Sequence, residues 1–416
     1  MAATPTRIAE QQPSRGRTCT LHLRPYTRRV RNLLLLTSSV VFFDTLFFSA
    51  LTPLLPHFAD ELSLGKTGAG VLAAAYPAGA FLGAIPSGIL AARLGLKLSV
   101  LIGMTTVALC TVLFGLSQEA WQLDLARFLQ GVASAFTWTG ALGWLVAAAP
   151  GARRGSLIGR AFAAAVGGAL FGPVVGGVAS LAGVAWTFGV LAATSFALVV
   201  WAALTPSAVS DEPQDPSALV RALRDHAILG AAWFVVLPAL LFGTLSVLAP
   251  LRLSELGFGA VAIGGVFLCA AALEAINNVF LGHASDRFGP VTPLVAGLVG
   301  SIVVAALLPW PSKASVLAAL VVCAGLAFGT FFTPGMTLLS NLAEQRGLHY
   351  GYAAALINLA WAPGQTVGAV GGGALAQATS DAVPYLLLSL VCAATLALLL
   401  KARRSPGWAA PVGSRP

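Results

Sequence analysis

Residues 156–182 read SLIGRAFAAAVGGALFGPVVGGVASLA, and the fold of the whole chain turns on how this stretch is read. It is apolar for long enough to cross a bilayer. Five of its six glycines are spaced, not scattered: Gly159, Gly168, Gly172, Gly176 and Gly177, with Pro173 beside the third. Residues four apart share one face of an α-helix, so Gly168, Gly172 and Gly176 form a strip without side chains on which another backbone can rest closely. Pro173 removes a backbone donor and favours a bend. Any one of these residues is ordinary in a spanning helix, where Gly and Pro are commoner than in soluble ones; the whole spacing describes a helix built to pack tightly and flex.

The rest of the chain has the same character. Of 416 residues, 57% are hydrophobic and 9% charged, and the mean hydropathy is +0.85, which excludes a soluble domain with a single core. A crossing needs roughly 20 mostly apolar residues, because the hydrocarbon layer is about 30 Å thick and a helix rises about 1.5 Å per residue. Twelve stretches qualify, at about 33–56, 68–92, 97–117, 121–149, 156–182, 184–204, 226–250, 258–284, 290–309, 314–342, 348–378 and 382–401. The expected fold class is an all-α membrane protein with twelve transmembrane helices.

Lys and Arg near span ends stay in the cytoplasm, and an even number of spans puts both termini on one side. With cytoplasmic termini, that side carries the arginines ahead of residue 33, then Arg93, Lys97, Arg153, Arg154, Arg160, Arg221, Arg224, Arg287, Arg346 and the basic residues from Lys401 onward; Lys66, Arg252 and Lys313 face the other way. A multi-pass protein of the cell membrane with both termini cytoplasmic is expected. The net charge of +9 is then a topology signal that calls for no nucleic-acid partner. Residues 1–32 have no apolar core, unlike a cleaved signal peptide, and read as a basic cytosolic tail; 402–416 read as a second tail. The cysteines form no CxxC pair, so neither a disulfide framework nor a metal site is expected.

The longest polar internal stretch, 205–225, divides the spans into 33–204 and 226–401 and reads as a cytosolic linker. Two motifs recur across it. The loop Gly88-Ile-Leu-Ala-Ala-Arg93-Leu-Gly95, followed by Lys97, returns as Gly282-His-Ala-Ser-Asp286-Arg287-Phe-Gly289. Gly168-x3-Gly172-Pro173-x2-Gly176-Gly177 returns as Gly364-x3-Gly368-Ala369-x2-Gly372-Gly373. The two motifs repeat at offsets of 194 and 196, which argues for duplicated halves in parallel.

These motifs carry a resemblance. The glycine run of 159–177 resembles the fifth-helix motif of proton-driven drug exporters of the major facilitator superfamily. The loop copies resemble that superfamily's G-x-x-x-D-R-x-G signature, with the second copy intact and Ala92 standing where the first would carry its acid. Arg127-x-x-Gln130-Gly131, with Leu123 before it and Ala135 after it, resembles the fourth-helix motif. Phe43-Asp44-Thr45, Pro53 to Pro56, and the series Tyr350, Gly351, Ala355, Asn358, Ala360, Gly364 and Gly368 resemble the vesicular amine branch of the drug:proton antiporters, in which an acid would stand at Asn358. The resemblance implies two pseudo-symmetric six-helix bundles that rock about a substrate held between them near the midplane, with a loop acid and base pairing where the bundles meet on the cytoplasmic side.

Charges inside the membrane each need a reason, since an ionisable group at the bilayer centre costs at least roughly 2.5–3.5 kcal/mol on insertion scales. Three stand out: Asp44, Arg127 and Glu274. Asp44 lies about twelve residues from either end of its span, which is the midplane. It reads either as a carboxyl that gains and loses a proton during transport or as half of a permanent structural ion pair. Arg127 stays charged and so suits the tuning of a neighbour's proton affinity better than proton transfer, with Asp44 the expected neighbour. Glu274, Asn277 and Asn278 share a helix face; this stripe either lines the cavity, with Glu274 as a second proton site, or hydrogen-bonds a neighbouring helix. Tyr76, Gln130, Trp138, Trp233, Phe332, Asn358, Trp361 and Gln365 also fall inside spans and are candidates for an aromatic, weakly polar pocket suited to amphipathic ligands.

The resulting expectation is a secondary transporter that exports a small amphipathic molecule in exchange for protons, working as a monomer among membrane lipids and without a cofactor. A proton-coupled importer or facilitator is the alternative, because Ala92 and Asn358 depart from the exporter pattern. A non-transporting sensor ranks below both. An enzyme is not expected: the histidines are scattered, no nucleophilic triad is visible, and no Walker-type loop points to ATP drive.

Overall fold

The computed structural model describes residues 28–148, 154–207, 217–288, 291–348 and 350–403, with the backbone alone for 154–156, 279, 282–288, 350, 351, 354, 402 and 403. The helices run α1 Arg28–Ala50, α2 Leu55–Glu61, α3 Lys66–Leu94, α4 Leu96–Leu116, α5 Ala120–Ala148, α6 Arg154–Ala182, α7 Val184–Leu204, α8 Ser217–Ala222, α9 His226–Glu255, α10 Ala260–Phe288, α11 Val291–Leu307, α12 Ala314–Gln345, α13 Tyr350–Ala378 and α14 Ala382–Arg403. Among the described residues there is no strand, and ten crossings meet the length and apolarity of a membrane span. The 17-residue α11 and the 29-residue α13 bring the set to the twelve expected.

Two segments differ from the sequence-based expectation. The first span starts earlier, at Arg28, and is broken: α1 stops at Ala50, a 3-10 turn covers Thr52–Leu54, and α2 resumes at Leu55. Pro53 and Pro56 supply no N–H to the preceding carbonyls, so the helical ladder cannot run through unbroken. Within the expected linker, 217–222 form the short helix α8, which buries Leu219 and Ala222 against residues of α9 and α12. Asp225 then caps α9 by accepting from the Ala227 amide at 2.8 Å, and it also accepts from Arg346 Nε at 2.7 Å. The amide and then the guanidinium hold this carboxyl below the usual carboxylate range.

The spaced glycines explain which helices pair. A Cβ on Gly168 would sit 2.1 Å from the Phe42 carbonyl oxygen, and on Gly176 it would sit 2.3 Å from that of Ala50, so α6 lies directly on the backbone of α1. Thr45 Oγ1 seals the seam by donating to the Ala165 carbonyl at 2.7 Å. The second half repeats the device: Gly364 and Gly368 rest on the carbonyls of Val236 and Leu240, placing α13 on α9, and Thr244 Oγ1 donates to the Gly368 carbonyl at 2.9 Å. The duplicated motif therefore holds the equivalent helix pair in each half.

The last glycine of each motif faces the other half. Gly373 approaches the Lys66 carbonyl on α3, and Gly177 approaches Val261 on α10. At the same end of the molecule Gly70 meets Ala369, Gly264 meets the Pro173 carbonyl, Lys66 Nζ pairs with Asp381 at 2.6 Å, and the Thr67 amide donates to Gln377 Oε1 at 2.8 Å. Toward the opposite end, a Cβ on Gly88 or Gly159 would meet nothing within 4 Å among the described residues. The two halves are thus zipped together at the Lys66 end.

Candidate functional site

Asp44 sits on α1 and is 2% exposed. Three donors converge on its Oδ2: Tyr76 Oη from α3 at 2.9 Å, Ser134 Oγ at 2.7 Å and Trp138 Nε1 at 2.6 Å, the last two from α5. Its other oxygen, Oδ1, is buried without a hydrogen-bond partner among the described residues. A carboxylate wants acceptors filled on both oxygens, so this one-sided arrangement leaves half of the group free to take a proton or a donor from a ligand. The close packing that holds the donors comes from glycine: a Cβ on Gly131 would lie 1.9 Å from the Tyr76 carbonyl oxygen, which lets α3 and α5 touch beneath Asp44.

Arg127, also 2% exposed, does not pair with Asp44 directly. Its guanidinium donates to the carbonyls of Phe47 at 2.8 Å and Phe48 at 3.0 Å and to Gln130 Oε1 at 3.2 Å. Those two carbonyls lie in the last turn of α1, just before the Pro53 break, so Arg127 satisfies acceptors at a helix end. Gln130 passes the contact on by donating to Thr111 Oγ1 at 3.1 Å. Arg127 reaches Asp44 through an aromatic ring: its Cζ lies 4.9 Å from the centroid of Tyr76, the ring whose hydroxyl holds Asp44.

The remaining candidates separate into groups. Trp361 of α13 reaches this site, with its ring 5.4 Å from that of Phe48, which in turn lies 5.2 Å from Tyr76. Gln365, one turn further along α13, is buried, and its Oε1 has no hydrogen-bond partner among the described residues. Asn358 is half-buried, three residues before Trp361. Asn277 donates to Thr330 at 2.9 Å and Asn278 accepts from Thr333 at 2.9 Å, so the stripe on α10 faces α12, where Glu274 packs over Gly329. Phe332 packs in the apolar cluster between α9, α12 and α13. Trp233 donates to Thr395 of α14 at 3.1 Å and is 37% exposed, on the outer side of its bundle.

In the first loop motif, Gly95 adopts a φ of +94° that only glycine takes readily, letting α3 turn sharply into α4. Arg93 is exposed, and Lys97 caps α7 by donating to the carbonyls of Ala203 at 2.6 Å and Thr205 at 2.8 Å. The side chains of Asp286 and Arg287, and Gly289 as a whole, lie outside the described residues, while the backbone of Gly282 lies within α10. A cavity of about 240 Å³ between α6 and α7, lined by Val174, Val178, Trp186, Thr187 and Val190, is apolar and holds none of the polar groups around Asp44.

Two members of the Asp44 site were not singled out from sequence, Ser134 and Phe48. Ser134 was within reach, since Gln130, Ser134 and Trp138 follow one another at four-residue spacing on one face of α5.

The sequence matches the profile of the Major Facilitator Superfamily over residues 37–364. It is 26% identical to the human synaptic vesicular amine transporter over 297 residues, which is 70% of this chain and 58% of that protein; the match thus spans little more than half of the relative. An uncharacterized MFS-type transporter of Yersinia pestis (strain Pestoides F) is 25% identical over 267 residues, 64% of this chain and 68% of that protein. Among solved structures, the nucleoside transporter NupG superposes with a TM-score of 0.72 at 14% identity, covering 90% of this chain and all of that one. A bacterial homolog of the human lysosomal transporter Spinster, in an inward-facing and occupied conformation, gives 0.72 at 17% identity, covering 92% and 100%.

Proposed function

Because the chain belongs to the Major Facilitator Superfamily, and so is a multi-pass membrane transporter of a small-molecule substrate and not an enzyme, we propose that it is a proton-coupled antiporter that exports a small amphipathic compound. The observation that carries this reading is the Asp44 carboxylate, buried at mid-span with every donor among the described residues on one oxygen and none on the other. Such a group can exchange a proton for a ligand donor without dismantling its site, which is what coupling requires. The aromatic rings of Phe48, Tyr76, Trp138 and Trp361 around it suit an amphipathic ligand.

Both termini are assigned to the cytoplasm of a cell membrane by the distribution of Lys and Arg. The Lys66 end is then the outer one, and the protein is closed to the outside. Alternating access exchanges this closure for one at the opposite end, with the monomer as the working unit in its lipid surround. Glu274, at the α10–α12 seam, is a second candidate proton site; Glu274→Gln is expected to alter the pH dependence of transport.

Import or facilitated diffusion is the competing direction, favoured by Ala92 and Asn358. Vesicles of the two orientations separate the readings when loaded with a panel of lipophilic cations, nucleosides and sugars under an imposed pH gradient. Accumulation driven by an acid interior in inverted vesicles supports antiport. Accumulation only in right-side-out vesicles energised by external acid overturns it.

A further inference from the structure

We propose that Trp361, which belongs to the half of the molecule that does not carry Asp44, is a positioning residue for the Asp44 carboxylate, acting through Phe48 and Tyr76. The proposal rests on the reading of Asp44 as the proton-exchanging group and adds how that group senses the relative position of the two bundles.

Each link is anchored differently. Phe48 is fixed to the first bundle, because Arg127 of α5 holds its carbonyl at 3.0 Å and the adjacent Phe47 carbonyl at 2.8 Å. Its ring is caught between two others, 5.2 Å from Tyr76 and 5.4 Å edge-on from Trp361. Trp361 is fixed to the second bundle, because the glycines that follow it on α13 rest on the α9 backbone, Gly364 at Val236 and Gly368 at Leu240. Phe48–Trp361 is the one aromatic ring contact between the halves among the described residues. When the bundles rock, neither anchor can follow the other, so the displacement falls on this contact. The same α13 carries Gly373 and Gln377, which zip the Lys66 end; opening that end moves Trp361 as part of one helix.

What Trp361 moves, through Phe48, is the hydroxyl-bearing ring. Tyr76 donates to Asp44 at 2.9 Å, and a ring shift of a few tenths of an ångström changes a bond of that length appreciably. The titratable and charged groups facing Asp44 among the described residues are Tyr76 from α3 and Arg127 from α5, both of which belong to or touch this same ring system; Ser134 and Trp138 are the uncharged donors. Bundle position is thereby written into the proton affinity of Asp44 through one aromatic chain.

The test is an infrared titration of the full-length protein in lipid nanodiscs, following the carbonyl band of protonated carboxyls and assigning Asp44 by the band lost in Asp44→Asn. Trp361→Ala is expected to move the midpoint of that band by about one pH unit, a tenfold change in proton affinity. Trp361→Phe should restore the wild-type midpoint, Phe48→Ala should give the same displacement as Trp361→Ala, and the double variant no more than either. A wild-type midpoint in folded Trp361→Ala overturns the relay while leaving Asp44 as the proton site. Additive shifts in the double variant overturn the route through Phe48. If Asp44→Asn removes no band, the proton-site reading fails and takes the relay with it. Should Trp361→Ala not fold, Trp361→Leu against Trp361→Phe decides by the same criteria.

Discussion

The phenol of Tyr76 donates to Oδ2 of Asp44 across 2.9 Å, and the ring that carries it lies 4.9 Å from the Arg127 guanidinium. One side chain therefore joins the two charges that the membrane makes most costly. Tyr76→Phe keeps the ring against Phe48 and Arg127 but deletes the donor. A hydrogen bond to a charged group contributes about 1.5–3 kcal/mol, so the pH profile of substrate transport is expected to move by on the order of one to two units with little change in expression. An unchanged profile would separate Tyr76 from coupling.

Arg127 should not be replaceable by lysine. Its fork serves the Phe47 and Phe48 carbonyls together with Gln130, and an ammonium is a point donor on a flexible stem. Arg127→Lys is expected to cost about 2–3 kcal/mol of stability, read as a lower melting temperature in detergent, and to impair transport. Retention of the wild-type melting temperature would mean that the end of α1 does not depend on this contact.

The glycine strip of α6 makes a graded prediction. Gly168→Ala places a methyl against the Phe42 carbonyl and should force α1 and α6 apart at a cost of about 1–3 kcal/mol. Gly159→Ala has open space and should be nearly neutral in stability. Equal effects at the two positions would show that the seam is not what the spacing serves.

At the Lys66 end, the 2.6 Å pair between Lys66 and Asp381 is only partly buried, so its contribution to closure is about 1 kcal/mol, roughly fivefold in the ratio of closed to open molecules. Lys66→Asp should increase labelling of a cysteine placed nearby on α3, and adding Asp381→Lys should reverse it. Failure of the reversed pair to restore protection would remove this ion pair from the gate.

Much of this architecture was legible in the sequence, because length, apolarity and the spacing of glycines act through the backbone. The strip Gly168, Gly172, Gly176 announced a close helix contact without saying that its partner is α1, the helix of Asp44. Partners depend on rotation about the helix axis, and helices that are apolar all round give no phase from which to read it. Arg127, expected as the neighbour of Asp44, lies one ring away across Tyr76, and which carbonyls its own hydrogen bonds serve, those of Phe47 and Phe48, was not legible. Trp233, apolar enough to sit anywhere, turned out to face α14. Where two or more polar residues share a face the phase was recoverable: Glu274, Asn277 and Asn278 do point one way, toward α12.

The proposed coupling depends on Asp44 exchanging the transported proton. Substrate-driven proton flux in proteoliposomes containing Asp44→Asn tests it most directly, since the amide keeps the size of the side chain while fixing its charge. Flux coupled to substrate is expected to disappear while the protein still folds. Flux equal to that of the wild type would contradict it.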